Sequence, residues 1–457
     1  MPRALAERRA AEISDLRYEL ELWLPDGPRE PVEGRVRIEL ERRRGGPLVL
    51  DFAAPPERVR ALEVNGTPVE PEVRAEHVVV PAEALEEGAN RLSIEFVAGD
   101  GSLNRSDEFL YTLFVPDRAR WAFPCFDQPD LKGRFTLILH VPDGWRAVAN
   151  GEPAEIGAGG ATLRFAETEP IPTYLFAFAA GRFDILEEER DGRRMRLFHR
   201  ETDAEKVERN RDAIFDLHAS ALVWIEEYTG IPYPFGKFDF VAVPGFQYNG
   251  MEHPGSILYR ASTLFLDSSA TQSQELGRAS VIAHETAHMW FGDLVTMRWF
   301  DDVWLKEVFA NFMAAKIVNP AFPGLDHDLR FLLAHHPAAY AVDRTAGANP
   351  IRQALDNLNE AGTLYGAIIY QKAPIVMRQL ERLVGEESFR AGLREYLGTY
   401  SFGNATWLDL IRILDRRTTR DLESWSRAWV EEPGRPTVRV EEFGSSGEPG
   451  APGRSRA

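Results

Sequence analysis

In the stretch VIAHETAHMWFGDLV (residues 281–295), His284 and His288 stand four apart around Glu285 in an otherwise apolar run. On a helix, residues i and i+4 lie about 40° apart and about 6 Å along the axis, so both imidazoles reach one point. Glu285, about 100° further round than His284, reaches the space beside that point without taking a ligand position. Two neutral imidazoles, one carboxylate and an open fourth position form the usual catalytic zinc arrangement. Such an ion lowers the pKa of bound water towards ~7, and a neighbouring carboxylate takes the proton. The alternative is a helix holding two hydrogen-bonded core histidines. A third ligand separates the two readings. In FDDVWLKEVFANFMA (300–314), Glu307 follows His288 by 19 residues on the next helical segment, and a helix–loop–helix return of that length brings it back over the pair. The expected metal ligands are therefore His284, His288 and Glu307, around one Zn2+ per chain.

These side chains need elements to hold them. The first ~200 residues alternate apolar and polar with period two, as half-buried strands do. Examples are RYELELWL (17–24), GRVRIEL (34–40), NRLSIEF (90–96), GRFTLILHV (133–141) and RMRLFHR (194–200). Turn clusters such as PDGP, VNGTP and PDGW separate them. After Arg200 the spacing turns helical, in a segment that opens on a Thr202 cap and stops at Gly230. A short β region follows around KFDFVAVPGF and SILY. From about Gln272 onward the spacing predicts helices over 274–291, 302–318, 325–340, 360–382, 386–398 and 406–429. The Gly/Pro/Ser-rich tail, 444–457, is expected to be disordered.

Three further motifs accompany the metal helix. FQYNGMEHPGSILY (246–259) lies just upstream of it, LYGAIIYQKAPIVMRQLE (364–381) places Tyr370 63 residues after Glu307, and RWAFPCFDQPDLKGRFTLILHVPDGWRAVANG (120–151) sits in the β region. Together with H-E-x-x-H and the later glutamate, these resemble the zinc aminopeptidases of the alanyl aminopeptidase (aminopeptidase N) type, which are gluzincin metallopeptidases. The resemblance runs through almost all of residues 10–440. It implies an α+β multidomain fold, with an N-terminal saddle-like β-sheet domain (1–200) and a thermolysin-like, mainly α-helical catalytic domain (201–432). Residues 433–457 would be a short remnant of a following domain and a tail. It also implies that Glu252 binds the substrate's free α-amino group, an assignment that suits an acceptor-only carboxylate. Gly250 and Met251 would run alongside the peptide, and the Tyr370 hydroxyl would donate to the oxyanion. The third motif would be architectural, with Cys125 a packed core thiol. Tyr365 falls near the site and receives no chemical role.

The chain departs from the family pattern at several of these positions. Asn249 and His253 replace the usual first and last residues around Met-Glu. Leu113 and Val115 stand where many members carry a glutamine or glutamate, so amine recognition would rest more heavily on Glu252. Ala314 replaces a carboxylate that supports the ligands, a role for which Asp301, Asp302 or Asp293 could substitute. Lys306-Glu307-Val308 replaces Asn-Glu-Gly. Full-length relatives continue past SWSRAWVEEPGRPTVRVE (424–441). This chain is expected to be either a minimal two-domain form or a truncated product.

Bulk properties set outer limits. At 457 residues, with 44% hydrophobic and 27% charged residues, the chain suits two or three globular domains. A formal net charge of −18 argues against nucleic acid or an anionic membrane as partner. The lone Cys125 excludes an intramolecular disulfide and a thiolate metal cluster. With neither a secretory signal nor a membrane span apparent, a cytoplasmic location is expected. The leading function is hydrolysis of the N-terminal residue from peptides with a free N-terminus. The alternatives are a zinc endopeptidase or epoxide-type hydrolase on the same scaffold, and an inactive binding protein.

Overall fold

A computed structural model describes residues 1–43, 45–157 and 162–434. Residues 435–457, which hold the expected tail and nearly all of the expected remnant, lie outside the described residues. All five stretches quoted for period-two alternation form strands, and the buried faces of the first four build the first core. An eight-stranded sheet runs in the order Pro153–Ile156, Thr162–Phe165, Arg134–His140, Ile13–Trp23, Glu33–Arg42, Gly88–Val97, Val59–Val64, Thr67–Val69. Ile13–Trp23 pairs antiparallel with Glu33–Arg42 and parallel with Arg134–His140, in a register that sets Tyr18 opposite Phe135. Those two rings stack at 4.6 Å, and Phe135 stacks on Phe176 at the same distance. A four-stranded sheet (Arg146–Ala149, Phe178–Gly181, Phe109–Thr112, Leu103–Arg105) adds the apolar run Phe176–Ala180 to that core.

The 120–151 motif is architectural in detail. Phe123, Cys125 and Phe126 are buried. Asp127 accepts from the Arg120 amide at 3.0 Å and the Thr173 hydroxyl at 2.6 Å. Nearby, the buried Asp51 receives two hydrogen bonds from Arg9, at 2.7 and 2.9 Å, and one from the Asp127 amide at 2.9 Å. Arg9 lies on α1 (Arg3–Glu12), a helix that the weak apolar spacing of RALAERRAAE does not announce.

The second part begins with a hairpin, Asp184–Arg190 and Arg193–His199, which joins its own five-stranded sheet in the order Asp184–Arg190, Arg193–His199, Phe240–Val243, Ile257–Arg260, Gly250–Met251. Helix α2 (Ala204–Thr229) is capped by Asp203 rather than the expected Thr202, and ends on Gly230 in the left-handed region (φ 71°). Helix α3 (Gln272–His288) opens on a capping box, Thr271 with Gln274, and packs on α4 (Trp304–Val318). These two helices carry the H-E-x-x-H residues and Glu307.

Downstream, α5 (His327–Asp343) matches expectation within a few residues. The helix expected over 360–382 is three pieces: a 3₁₀ segment Leu358–Thr363, a π-helical turn Ile368–Lys372 and α6 (Ala373–Val384). Gly362 and Gly366 weaken the first half, and Pro374, without an N–H, is best placed in a helix's first turn, where it stands in α6. Helix α7 (Glu386–Thr399) follows, and the helix expected over 406–429 breaks after α8 (Trp407–Asp415), restarting at Leu422 under an Asp421 cap. No described helix is long and apolar enough to cross a membrane.

Candidate active site

His284 and His288 occupy the last turns of α3, and Glu307 the first turn of α4. Three of their side-chain atoms converge: His284 Nε2 to His288 Nε2 is 3.0 Å, and Glu307 Oε2 lies 3.7 and 3.9 Å from them. Ligands about 2.0–2.1 Å from a tetrahedral ion sit roughly 3.3 Å apart, so these spacings bracket that value. The other ring nitrogens face away. His284 Nδ1 donates to Asn311 Oδ1 and His288 Nδ1 to the Phe291 carbonyl, each at 3.1 Å. With both Nδ1 protonated, each Nε2 offers a lone pair inward, and burial holds His288 near a pKa of about 4. Three acceptors aimed at one point suit a cation, and the donor set fits zinc.

The supports differ from those expected at Ala314. Asp301 and Asp302 turn away to Arg352, at 3.2 and 2.7 Å, and Arg3 also reaches Asp301 at 3.3 Å. Asp293 is fully buried, and among the described residues neither carboxylate oxygen has a hydrogen-bond partner, an imidazole included. Asn311, four residues after Glu307 on α4, orients His284 instead. Its i+4 spacing from the ligand was a readable signal in the sequence.

Glu285 is buried beside the ligands, and its Oε2 has no hydrogen-bond partner among the described residues. Burial, reinforced by Glu252 and Glu307 against His284, pushes its carboxyl up to about 8. The opposite wall is Gly250, where an added Cβ would stand 2.2 Å from Glu285 Oε1. Any side chain at 250 would displace that carboxylate. Gly250–Met251 is the last strand of its sheet, bonded on one side to Ile257–Arg260 and open on the other.

Glu252, directly after that strand, is buried and accepts from Lys306 Nζ at 2.6 Å. The same ammonium donates to Glu307 Oε1 at 2.7 Å. Desolvation opposes its charge, but the two carboxylates outweigh it and hold Lys306 well above the usual lysine value. Lys306 registers in the sequence only as a departure from Asn; its bridge joins residues 54 apart. His253 is buried, and neither ring nitrogen has a hydrogen-bond partner among the described residues. Tyr370 sits in the π-helical turn, whose Lys372 anchors it through Asp343 at 2.8 Å and the Gly434 carbonyl at 2.6 Å. Tyr365 stands beside it, ring centroids 6.4 Å apart, with a buried hydroxyl that has no hydrogen-bond partner among the described residues.

All the expected site residues line one cavity of about 760 Å³, together with Lys306, Asn311 and Tyr365. Val115 lines it from the β part, while Leu113 is packed in the core instead.

Comparison with known proteins gives the same picture from a separate direction. Residues 214–429 match the peptidase family M1 domain, and residues 64–175 the peptidase M1 N-terminal domain. A probable aminopeptidase 1 of Sulfurisphaera tokodaii is 31% identical over 402 residues, 85% of this chain and 50% of that protein. A leucyl aminopeptidase of Saccharolobus solfataricus is 34% identical over 72% of this chain and 42% of its own length. Aminopeptidase N of Streptomyces lividans is 35% identical over 73% and 39% respectively. The chain spans half or less of the length of these relatives. With two helices delivering H-E-x-x-H and a distant glutamate to one point, and both family domains matched in order, the chain belongs to peptidase family M1.

Proposed function

We propose that this chain is a zinc-dependent aminopeptidase that hydrolyses the N-terminal residue from peptides. The observation that carries it is the convergence of His284 Nε2, His288 Nε2 and Glu307 Oε2 beside the unbonded carboxylate oxygen of Glu285. One ion per chain, held by those three residues, supplies Lewis acidity and acidifies water when bound. Glu285 takes the proton of the attacking water and later delivers it to the leaving amine. Its buried setting favours holding that proton between the two steps. The Tyr370 hydroxyl donates to the developing oxyanion. A substrate backbone extends the sheet at the open edge of Gly250–Met251, a mode in which main-chain hydrogen bonds supply register. Glu252, one residue beyond, meets the substrate's terminal amino group with the carboxylate oxygen that Lys306 leaves free. In this assignment residues 1–200 are the β domain and 201–432 the catalytic domain, with the Asp184–His199 hairpin extending the catalytic sheet.

Glu285→Gln keeps the shape and removes the base. Turnover of aminoacyl anilides is expected to fall by about 10²–10⁴-fold with zinc content unchanged. Near wild-type cleavage by that variant would refute the assignment.

A further inference from the structure

A carboxylate meant to receive an ammonium is ordinarily left open to the cleft, whereas Glu252 already holds one. Lys306 Nζ donates to its Oε1 at 2.6 Å, and the two side chains are only 5% and 4% exposed. The lysine cannot easily swing away, because its ammonium also binds Glu307 Oε1 at 2.7 Å and lies 5.8 Å from the Tyr174 ring centre. The remaining carboxylates lining the cavity, Glu285 and Glu307, belong to the reaction and to the metal. From the β part the cavity receives Val115, Pro116 and Arg118. Two of these are apolar and the third is a cation, lying over the Trp121 ring at 5.4 Å. Among the described residues, no acid lines the cavity from that part to take over the charge of Glu252. An α-ammonium entering here would gain one carboxylate oxygen and lie beside a second ammonium in a buried setting, where like charges repel strongly.

We propose that Lys306 is a specificity-determining residue that makes the N-terminal subsite charge-neutral. The subsite then accepts acyl donors whose α-substituent is a neutral hydrogen-bond donor, a hydroxyl or an unprotonated amine, about as well as those bearing an ammonium. This rests on the aminopeptidase reading above.

The test compares L-leucinamide with its α-hydroxy isostere by calorimetry on the zinc-loaded protein, at a pH about two units below the α-amino pKa of roughly 8. The matching p-nitroanilides are assayed in parallel. Wild type is expected to bind the two amides within about tenfold of each other. Lys306→Asn removes the cation, keeps a polar side chain, and should raise the preference for the ammonium ligand by about tenfold or more. Lys306→Arg keeps the cation and should keep the wild-type ratio. A wild-type preference for the ammonium above about tenfold, or a ratio that Lys306→Asn leaves unchanged, overturns the proposal while leucyl anilide cleavage leaves the aminopeptidase reading standing. Absence of cleavage and of binding by wild type overturns both. Should Lys306→Asn fail to fold or to hold zinc, the wild-type ratio and Lys306→Arg decide.

Discussion

Each imidazole proposed as a ligand is fixed by the hydrogen bond on its far side, and the two are fixed differently. His288 donates to a backbone carbonyl, which no substitution can remove. His284 depends on a side chain, Asn311. Asn311→Ala therefore leaves the His284 tautomer unspecified and its ring free to turn. Zinc affinity should fall by about 10–100-fold, measured by chelator competition, and excess zinc should restore much of the anilide turnover. An unchanged affinity would show that His284 needs no orientation. Residue-level chemistry was the most legible part of the sequence, because the placing of His284, Glu285 and His288 follows from helical spacing alone, whereas Asn311, four residues past Glu307, was missed. The Lys306–Glu252 bridge was not legible, since it depends on where a strand end and a helix start meet in space.

Elements were legible where one face is wet and the other dry. The strand Glu33–Arg42 alternates almost perfectly in burial, and its sequence alternates with it. The helix expected over 360–382 failed because a run of apolar residues there obeys no single period; its π-helical turn is held by Lys372 reaching Asp343, a contact 29 residues away. The packing of α2 on its sheet carries a pH signature. His218 is fully buried, with Nδ1 at 2.8 Å from the Ile214 carbonyl, Nε2 at 3.0 Å from the Tyr259 hydroxyl and its ring stacked at 4.0 Å on Phe240. Burial lowers its pKa to about 4, against about 6.5 in the unfolded chain. Between those values the unfolded chain binds the extra proton, so stability present above pH ~6.5 is lost as pH falls towards ~4, by about 3 kcal/mol for this group. His218→Gln should start less stable at pH 7.5 yet decline less over that window in denaturant titrations. Equal declines for the two proteins would remove His218 as a cause.

At the scale of the whole molecule, the β part holds the catalytic part at points that touch the site's own segments. Lys132 donates to the carbonyls of Asp293 and Leu294, at 2.9 and 3.1 Å, just past α3. Asn404 returns the favour from the other side through the Pro129 carbonyl at 2.9 Å. The closest tie is Asn150, at the end of a β-domain strand. Its amide donates to the Leu175 and Pro254 carbonyls, each at 2.9 Å, and its Oδ1 accepts from the Ala177 amide at 2.7 Å. Pro254 stands two residues after Glu252, and Gly255 packs so tightly that an added Cβ would lie 2.4 Å from the Asn150 carbonyl. Asn150→Ala leaves three buried backbone groups unpaired, at a cost on the order of 3 kcal/mol in unfolding free energy. If the β domain also holds the Glu252 segment in register, the variant's KM for aminoacyl anilides should rise together with that loss, while zinc content stays constant. A destabilised variant with unchanged KM would mean that the interface keeps the two parts together without setting the geometry of the cleft.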